Sequence, residues 1–431
     1  MSMIVYLIAY AASFLLARFK FYYLSGAVLI AAALWLYIRE YRSSKNLIHL
    51  RGLFSLFWVG GQGLACLKLS RLQGDWALMT WICLGLAYVG FWIVFEVLVR
   101  LYGSGQDNYS RWRSYEGNPR PVFHMICAVT GCSLICFITE AVVLGYVPFL
   151  VRGVPHAYSE FHLTGIHYIT VSCVLVPSLS VLFFHMRKGR GRERTALAVL
   201  IMTAVSLMIP ILCVSRFQFI FAVVLAAFTY ISLQKSFHPL FLIGLLAVMV
   251  PVYLVLTIAR SHDVAYLNGI FEMRWEKMPI FITQPYMYIA NNYENFNCLV
   301  EALPEHSMGM KSLFPLWALS GLKFFFPNLI NYPIYVDKKE LTTLTLFYDA
   351  YYDFGWIGVL LFSCLLGLVA YLLVVKLREM RNPMGYLLYA QMAAYLMLSF
   401  FTTWFSNTTT WFYLIVTGMM AVYYSMNANR R

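Results

Sequence analysis

The sequence predicts an all-α polytopic membrane protein with about 12 transmembrane helices. Of its 431 residues, 61% are apolar and only 12% are charged, which is about half the charged fraction of an average soluble domain. The apolar residues are also grouped: stretches such as 196–214, 240–259 and 356–375 run for about 18–20 residues, long enough to cross a hydrocarbon core about 30 Å thick. A soluble enzyme, a nucleic-acid-binding protein and a disordered chain are therefore excluded.

Twelve apolar segments can be placed along the chain as membrane spans. The first of them lacks a basic start and a small-residue cleavage site, so we interpret it as a helix and not as a signal peptide. The predicted spans are 3–17, 21–38, 52–67, 76–99, 121–145, 166–186, 195–213, 215–233, 239–259, 354–375, 384–401 and 409–426.

The distribution of Lys and Arg predicts the orientation of the chain. With the N-terminus inside, 19 of the 32 Lys and Arg residues fall in the inner segments 39–51, 100–120, 187–194, 234–238, 376–383 and the C-terminal tail. Cytoplasmic loops of membrane proteins are enriched in these residues. We therefore predict an N-in/C-in topology, which also explains the net charge of +13 without an acidic partner.

One predicted outer segment, residues 260–353, differs from all other connections. It contains ten of the 19 carboxylates and apolar, aromatic stretches such as 313–327, which are too short to span a membrane and suited to lie at its surface. Loops this long are commonly functional. The predicted organisation is membrane helices 1–9 over residues 1–259, a large extracytoplasmic loop with short interfacial helices over 260–353, and membrane helices 10–12 over 354–431.

Two arginines are candidates for binding phosphate at the outer surface. Arg216 begins one predicted helix and Arg260 ends the next outward helix. A guanidinium group is always charged and presents a planar fork that matches phosphate oxygens. The alternative is that each side chain only extends to the outer headgroups. His262, two residues after Arg260, is either a general base or an incidental exposed histidine.

Asp353 lies where the predicted loop re-enters the membrane. It could accept a proton from a sugar hydroxyl or orient an arginine, or it could satisfy free backbone N–H groups near a helix start. Neighbouring tyrosines could stack on sugar rings or form an interfacial aromatic belt: Tyr348, Tyr351 and Tyr352. Cations of the loop that could bind substrate are Arg274, Lys338 and Lys339, although the two lysines also suit a solvated loop tip.

No metal site and no cofactor are predicted. The spacing of His156, His162 and His167 fits no regular zinc pattern, and the nine cysteines form no CxxC pair. Glu96 and Glu140 lie within predicted spans, where ionisable groups are costly. We expect both to face the protein interior, either paired or protonated.

Several of these motifs occur together in one known family. Ser215-Arg216 opens a helix, Arg260 closes the next one, and Tyr266-Leu267-Asn268-Gly269 leads into the loop. The late motif Thr343-x-Thr345 and Tyr351-Tyr352-Asp353-Phe354-Gly355-x-x-Gly358 follows, before an apolar helix that contains Gly367. Over about residues 210–375 the chain resembles the O-antigen polymerase family, the oligosaccharide repeat-unit polymerases of bacterial surface polysaccharide synthesis.

The resemblance implies an inverting glycosyltransferase of the bacterial plasma membrane with its active site on the extracytoplasmic side. The donor would be a growing glycan on undecaprenyl diphosphate, and the acceptor would be one lipid-linked repeat unit. Arg216 and Arg260 would stabilise the leaving diphosphate without a metal, and Asp353 or His262 would deprotonate the acceptor hydroxyl. Membrane lipids, a chain-length regulator and a flippase would be further partners, and no nucleic acid would bind.

Two other functions stay open. A flippase for lipid-linked sugars would also have many helices, but it is expected to show two related halves with broken helices at matching positions. The long loop occurs once, which favours the polymerase. A ligase that moves finished glycan to another acceptor is the second alternative.

Overall fold

Helices make up nearly all of the regular structure in the computed structural model, which describes residues 2–104, 117–151, 157–187, 193–234, 244, 247, 249–253, 264–275, 277–329 and 331–428. Within those residues the β-type pairing is one isolated bridge between Ser70 and Met273. Seven helical segments of the described chain are long and apolar enough to cross a membrane: Tyr22–Ser44, Leu78–Tyr102, Pro119–Leu144, Ile166–Arg187, Glu193–Leu212, Arg216–Leu233 and Tyr348–Lys376. The chain is thus an all-α membrane protein, as the composition predicts.

The other five predicted spans coincide with helices that are shorter, interrupted, less apolar or only partly described. The first is the 17-residue helix Ser2–Arg18. The third of the twelve predicted spans, residues 52–67, is interrupted by one π-helical turn, Ser55–Val59. Of the ninth, residues 244, 247 and 249–253 are described. The last two correspond to Met384–Met397 and Thr408–Asn427.

The described chain divides into two compact units. The first comprises residues 1–110, 264–376 and 395–411, and the second comprises residues 111–263, 377–394 and 412–431. Both units are therefore assembled from segments that are far apart in sequence.

The first unit begins with five helices. Ser13 and Ser25 form hydrogen bonds between the first two of these helices, so that their buried polar atoms have partners. The helices are α1 (Ser2–Arg18), α2 (Tyr22–Ser44), α3 (Leu50–Phe54), α4 (Gly60–Cys66) and α5 (Leu78–Tyr102).

In the described residues, the second unit holds the next six helices. A 3-10 turn, Ser172–Leu175, joins α8 to α9, and its residues are buried. The helices are α6 (Pro119–Leu144), α7 (Ala157–Glu160), α8 (Ile166–Val171), α9 (Val176–Arg187), α10 (Glu193–Leu212) and α11 (Arg216–Leu233).

The predicted loop contributes its described residues from Val264 onward to the first unit and contains one long helix besides the short ones. That helix has 23 residues, of which more than half are buried. The elements are α12 (Val264–Phe271), α13 (Ile280–Ala302), α14 (Phe314–Leu319) and α15 (Leu322–Phe325). Apolar side chains of the last two are exposed, as in Leu316 of α14 and Phe324 of α15, so these two helices have the character predicted for interfacial segments.

The late motif begins α16 (Tyr348–Lys376), which packs along α5 in the first unit. A Cβ at Gly367 would lie 2.5 Å from the carbonyl oxygen of Phe91, so the absence of a side chain permits this close approach. Two further helices follow, α17 (Met384–Met397) and α18 (Thr408–Asn427).

Candidate functional site

The late motif folds as a short helical segment, a sharp break and a long membrane helix. Phe354 (φ −138°, ψ 19°) and Gly355 (φ +61°, ψ −145°) interrupt the helical conformation inside α16. A positive φ is readily adopted by glycine and is strained for other residues. At the break, the carbonyl oxygen of Ala350 lies against Gly358. A Cβ added at Gly358 would be only 2.1 Å from this oxygen. Both glycines of the motif are therefore required by the backbone geometry.

Asp353 is fully buried and holds a neighbouring turn in place. Its carboxylate accepts a hydrogen bond from the Ser307 hydroxyl, and it accepts the backbone N–H groups of Lys311 (3.0 Å) and Ser312 (2.9 Å). The backbone N–H of Met308 also donates to the Asp353 carbonyl at 3.2 Å. Both oxygens of the side chain thus have donors, which is the arrangement of a structural carboxylate. The N–H groups come from the segment 307–312 and not from its own helix.

Asp349, one helical turn earlier, has different surroundings. It is only 4% exposed, and the hydroxyls of Thr403 and Ser406 lie near its carboxylate. Its Oδ1 atom, however, has no hydrogen-bond partner among the residues that the structure describes. A buried carboxylate oxygen without a donor is costly unless a ligand or water completes it. Asp349 is therefore the described residue of the motif that is best prepared to accept a proton or a hydrogen bond.

Lys311 supplies a positive charge next to these two aspartates. Its ammonium lies 5.2 Å from the ring centre of Tyr352, within cation–π distance, and it interacts electrostatically with Asp349. Since the Asp353 carboxylate accepts the backbone N–H of Lys311, it also fixes the backbone position from which the lysine side chain extends. Asp353, Lys311 and Asp349 form a connected group of charges within the first unit.

The tyrosines of the motif are buried against protein. The hydroxyl of Tyr348 donates to the carbonyl of Tyr335 and accepts its N–H, both at 2.8 Å. Tyr351 packs edge-on against Phe296 and His306, and Tyr352 packs against Tyr335 and Tyr332. Those last two tyrosines are only half-buried, so they are the aromatic faces of this cluster nearest the surface.

The predicted substrate-binding cations of the loop have different environments. Lys338 is engaged within its own unit: its ammonium lies 2.8 Å from the Glu272 carboxylate and donates to the carbonyl of Ile270 at 3.0 Å. Arg274 is exposed, and its backbone N–H donates to the Leu69 carbonyl at 2.9 Å. Lys339 is exposed to solvent. Neither Arg274 nor Lys339 has a side-chain ion pair among the described residues.

The predicted catalytic arginines and histidine fall outside the part of the first unit that holds Asp353. Arg216 belongs to the second unit and Asp353 to the first, while Arg260 and His262 lie outside the described residues. Arg216 is 7% exposed, begins α11, and has its guanidinium carbon 5.4 Å from the ring centre of Tyr253. It is therefore buried within its own unit and does not extend freely towards headgroups.

Glu96 and Glu140, expected to be either paired or protonated, both have hydrogen-bonding or ionic partners in the structure. Glu140 is fully buried and accepts the N–H of Leu163, Nδ1–H of His167 (both 3.0 Å) and the hydroxyl of Thr170 (2.8 Å). Glu96 forms an ion pair with Arg51 at 2.8 Å. Buried carboxylates with this many donors stabilise the packing of neighbouring segments.

Sequence reasoning did not identify Asp349 and Lys311 as site residues. Asp349 could have been identified from the sequence, because it lies in the motif one helical turn before Asp353 and therefore on the same helix face. Lys311, Thr403 and Ser406 carry no local signal, since only the fold brings them to residues 349–353. Comparison of the chain with models of known families, with curated proteins and with solved structures finds no match.

Proposed function

We propose that the chain is a membrane glycosyltransferase that polymerises undecaprenyl-diphosphate-linked oligosaccharide repeat units into a surface polysaccharide. The motif resemblance supports this function. The observation that carries it is the buried Asp349, with one carboxylate oxygen free of partners, beside Lys311 and inside that motif. A proton acceptor next to a fixed cation is what the transfer of a sugar from a diphosphate requires.

In the proposed reaction, the acceptor hydroxyl oxygen attacks the anomeric carbon of the donor glycan and a new glycosidic bond forms. The bond between that carbon and the diphosphate oxygen breaks, and the electron pair leaves with the lipid diphosphate. The configuration at the anomeric carbon is inverted. Asp349 receives the hydroxyl proton, and Lys311 stabilises the negative charge that develops on the leaving group. Asp353 positions Lys311, a role that its three donors support better than that of proton acceptor.

The remaining parts of the proposal concern topology and the arginines. We propose 12 spans with both termini inside and residues 260–353 outside, so that the reaction occurs at the outer face of the bacterial plasma membrane. Arg216 and Arg260 would contribute further cations to diphosphate binding, His262 is a second candidate base, and the exposed Arg274 and Lys339 would attract the anionic substrates. No cofactor takes part. A chain-length regulator and a flippase would act with the enzyme.

Deletion of the gene, followed by gel analysis of the surface glycan, separates the proposed function from its alternatives. Loss of a polymerase leaves single repeat units exported and attached to the surface. Loss of a flippase leaves no exported units, and loss of a ligase leaves polymer on its lipid carrier. Either of the last two patterns would contradict the proposal.

Complementation with point variants then tests the site. Asp349→Asn keeps the size of the side chain but removes the proton acceptor, so polymer formation should fall by about 100-fold or more while the protein still reaches the membrane. Arg216→Ala and Arg260→Ala should also abolish polymer. Glu305→Gln changes an exposed carboxylate of the same loop and is the matched control, with normal polymer expected. Normal chain length with Asp349→Asn would remove this residue from the reaction.

A further inference from the structure

A polar cavity lies in the first unit, at the ends of α2 and α5 and the start of α1. Its volume is about 320 Å³, at the lower end of the range for sites that bind small molecules. Ionisable side chains from three helices and one turn line it: Arg39, Glu40, His49, Arg51, Glu96 and Arg100. Such a collection of charges at the end of a membrane helix bundle is costly unless the charges are paired or bind a ligand.

Most of these groups interact with one another. Arg51 forms ion pairs with Glu40 and Glu96, each at 2.8 Å, and its guanidinium lies 4.7 Å from the ring centre of Phe95. The triad of one cation and two anions carries a net negative charge. Arg39 and Arg100 add two positive charges at the exposed mouth, so the lining as a whole is positive. The side chain of Arg100 is 75% exposed, and its Nε lies 3.4 Å from the Glu96 carboxylate.

His49 provides an independent sign that the cavity takes a ligand. Its side chain is 6% exposed, and its Nε2 lies 3.4 Å from Glu40. Its Nδ1 has no hydrogen-bond partner among the described residues. When Nε2 carries the proton towards Glu40, Nδ1 is an acceptor. A buried acceptor of this kind in a cavity wall requires a donor such as a hydroxyl group.

The surroundings of the cavity are suited to lipid. On α1 the exposed residues next to its start are apolar, including Ile4 and Ile8. On α5 the same holds for Val97 and Leu101, which directly follow the cavity-lining Glu96 and Arg100 in sequence. Apolar surfaces of membrane helices face acyl chains, and basic pockets at helix ends recognise anionic lipid headgroups. The cavity therefore combines a cationic mouth, a buried hydroxyl-accepting group and an adjacent acyl-chain surface.

We propose that this cavity binds the headgroup of an anionic phospholipid that carries a phosphodiester and free hydroxyls, as in phosphatidylglycerol. The phosphate lies between Arg39 and Arg100, a headgroup hydroxyl donates to Nδ1 of His49, and the acyl chains lie along α1 and α5. Arg51 keeps its two glutamates and forms the floor of the site. This binding does not depend on the proposed transfer reaction.

The purified full-length protein in a non-ionic detergent allows a direct test by calorimetric titration. Dioctanoyl-phosphatidylglycerol should bind at one site per chain. Dioctanoyl-phosphatidylcholine has the same acyl chains and a zwitterionic headgroup without hydroxyls, and it should bind at least tenfold more weakly. Glycerol 3-phosphate, the polar part without acyl chains, should bind more weakly than the lipid by a similar factor.

Variants locate the site. Arg39→Ala and Arg100→Ala change exposed side chains and should each weaken the binding of the anionic lipid by tenfold or more. Arg42→Ala removes an exposed cation of the same helix end that does not line the cavity, and it should leave affinity within twofold. His49→Phe should weaken binding of phosphatidylglycerol but not of a phosphatidic acid, which lacks the hydroxyls.

Three results would overturn the proposal. Equal binding of the two lipids would show that the headgroup is not recognised. Glycerol 3-phosphate binding as tightly as the lipid would assign the cavity to a soluble phosphate ester. An equal loss with Arg42→Ala would show that diffuse surface charge, and not this cavity, attracts the lipid.

Discussion

At the scale of single residues, His49 shows how burial fixes the protonation state of a side chain. It packs between Glu40 of α2 and Arg51 of α3, and Arg51 in turn bridges to Glu96 of α5. Burial lowers the pKa of His49 from 6.5 to about 4, and the guanidinium of Arg51 acts in the same direction while Glu40 opposes it. In the folded chain this histidine is therefore neutral at neutral pH.

This pKa predicts a loss of stability in acid. Between pH 6.5 and about 4 the unfolded chain binds a proton at His49 and the folded chain does not, so the free energy of unfolding falls as the pH falls through this window. The contribution should be about 2 kcal/mol between pH 7 and pH 5. Thermal unfolding in detergent at both pH values measures it, and His49→Gln should reduce the drop. An equal drop in wild type and variant would place the acid sensitivity in other groups.

Asp349 and Asp353 show what a residue pattern can and cannot predict. The motif directed attention to this segment, because its aspartates and glycines stand at fixed spacing. It could not divide the roles between the two carboxylates. The donors to Asp353 come from Ser307, Lys311 and Ser312, more than 40 residues earlier, and the hydroxyls near Asp349 belong to residues 403 and 406. The surroundings that decide between a structural and a chemical role are products of the tertiary fold.

At the scale of secondary-structure elements, the break in α16 requires that residue 358 is a glycine, without a side chain. Gly358→Ala should destabilise the folded protein by about 2–3 kcal/mol, since the new Cβ would lie 2.1 Å from the Ala350 oxygen and 3.0 Å from the Phe354 Cβ. The backbone has little room to relax, because Asp353 and Gly355 fix the same turn. The yield of folded protein and its unfolding midpoint in detergent measure the effect.

Gly131→Ala is the matched control for that change. Gly131 lies in the membrane helix α6, where an added Cβ would meet nothing within 4 Å. Alanine has the higher helix propensity by about 1 kcal/mol, so this variant should be neutral or slightly more stable. A similar loss from both substitutions would mean that helix flexibility, and not the close contact at residue 358, is what the glycine provides.

Helix α13 was not predicted, for a physical reason. Its buried face is polar, whereas the search for spans identifies apolar runs. Glu294 pairs with Lys68 at 2.5 Å and accepts Nε1–H of Trp76 at 2.8 Å. Asn295 donates to the carbonyls of residues 341 and 343. Because these partners come from distant segments, local periodicity gives no sign that such polar residues are buried.

At the scale of the whole molecule, the apolar runs predicted helix positions well. The span predicted at 76–99 is Leu78–Tyr102, and that predicted at 121–145 is Pro119–Leu144. A long apolar run is sufficient to define a helix, since every backbone group must be bonded within the segment in lipid. The assembly of these helices into two units of interleaved segments depends on long-range packing and was not predictable from the same runs.

The orientation in the membrane decides whether the proposed reaction has access to exported substrates. Positive charge in the segments 39–51 and 376–383 predicts that they stay inside, whereas Lys339 belongs to the loop predicted outside. We therefore expect that a membrane-impermeant maleimide labels Lys339→Cys in spheroplasts, and that it labels Lys45→Cys only after permeabilisation. Both residues are exposed in the structure, so access to reagent is set by the membrane.

The parent chain, whose nine cysteines are all free, gives the background in each condition. A reversed pattern would put residues 348–353 on the cytoplasmic side, where no exported repeat unit is available, and would contradict the proposed polymerase together with its topology.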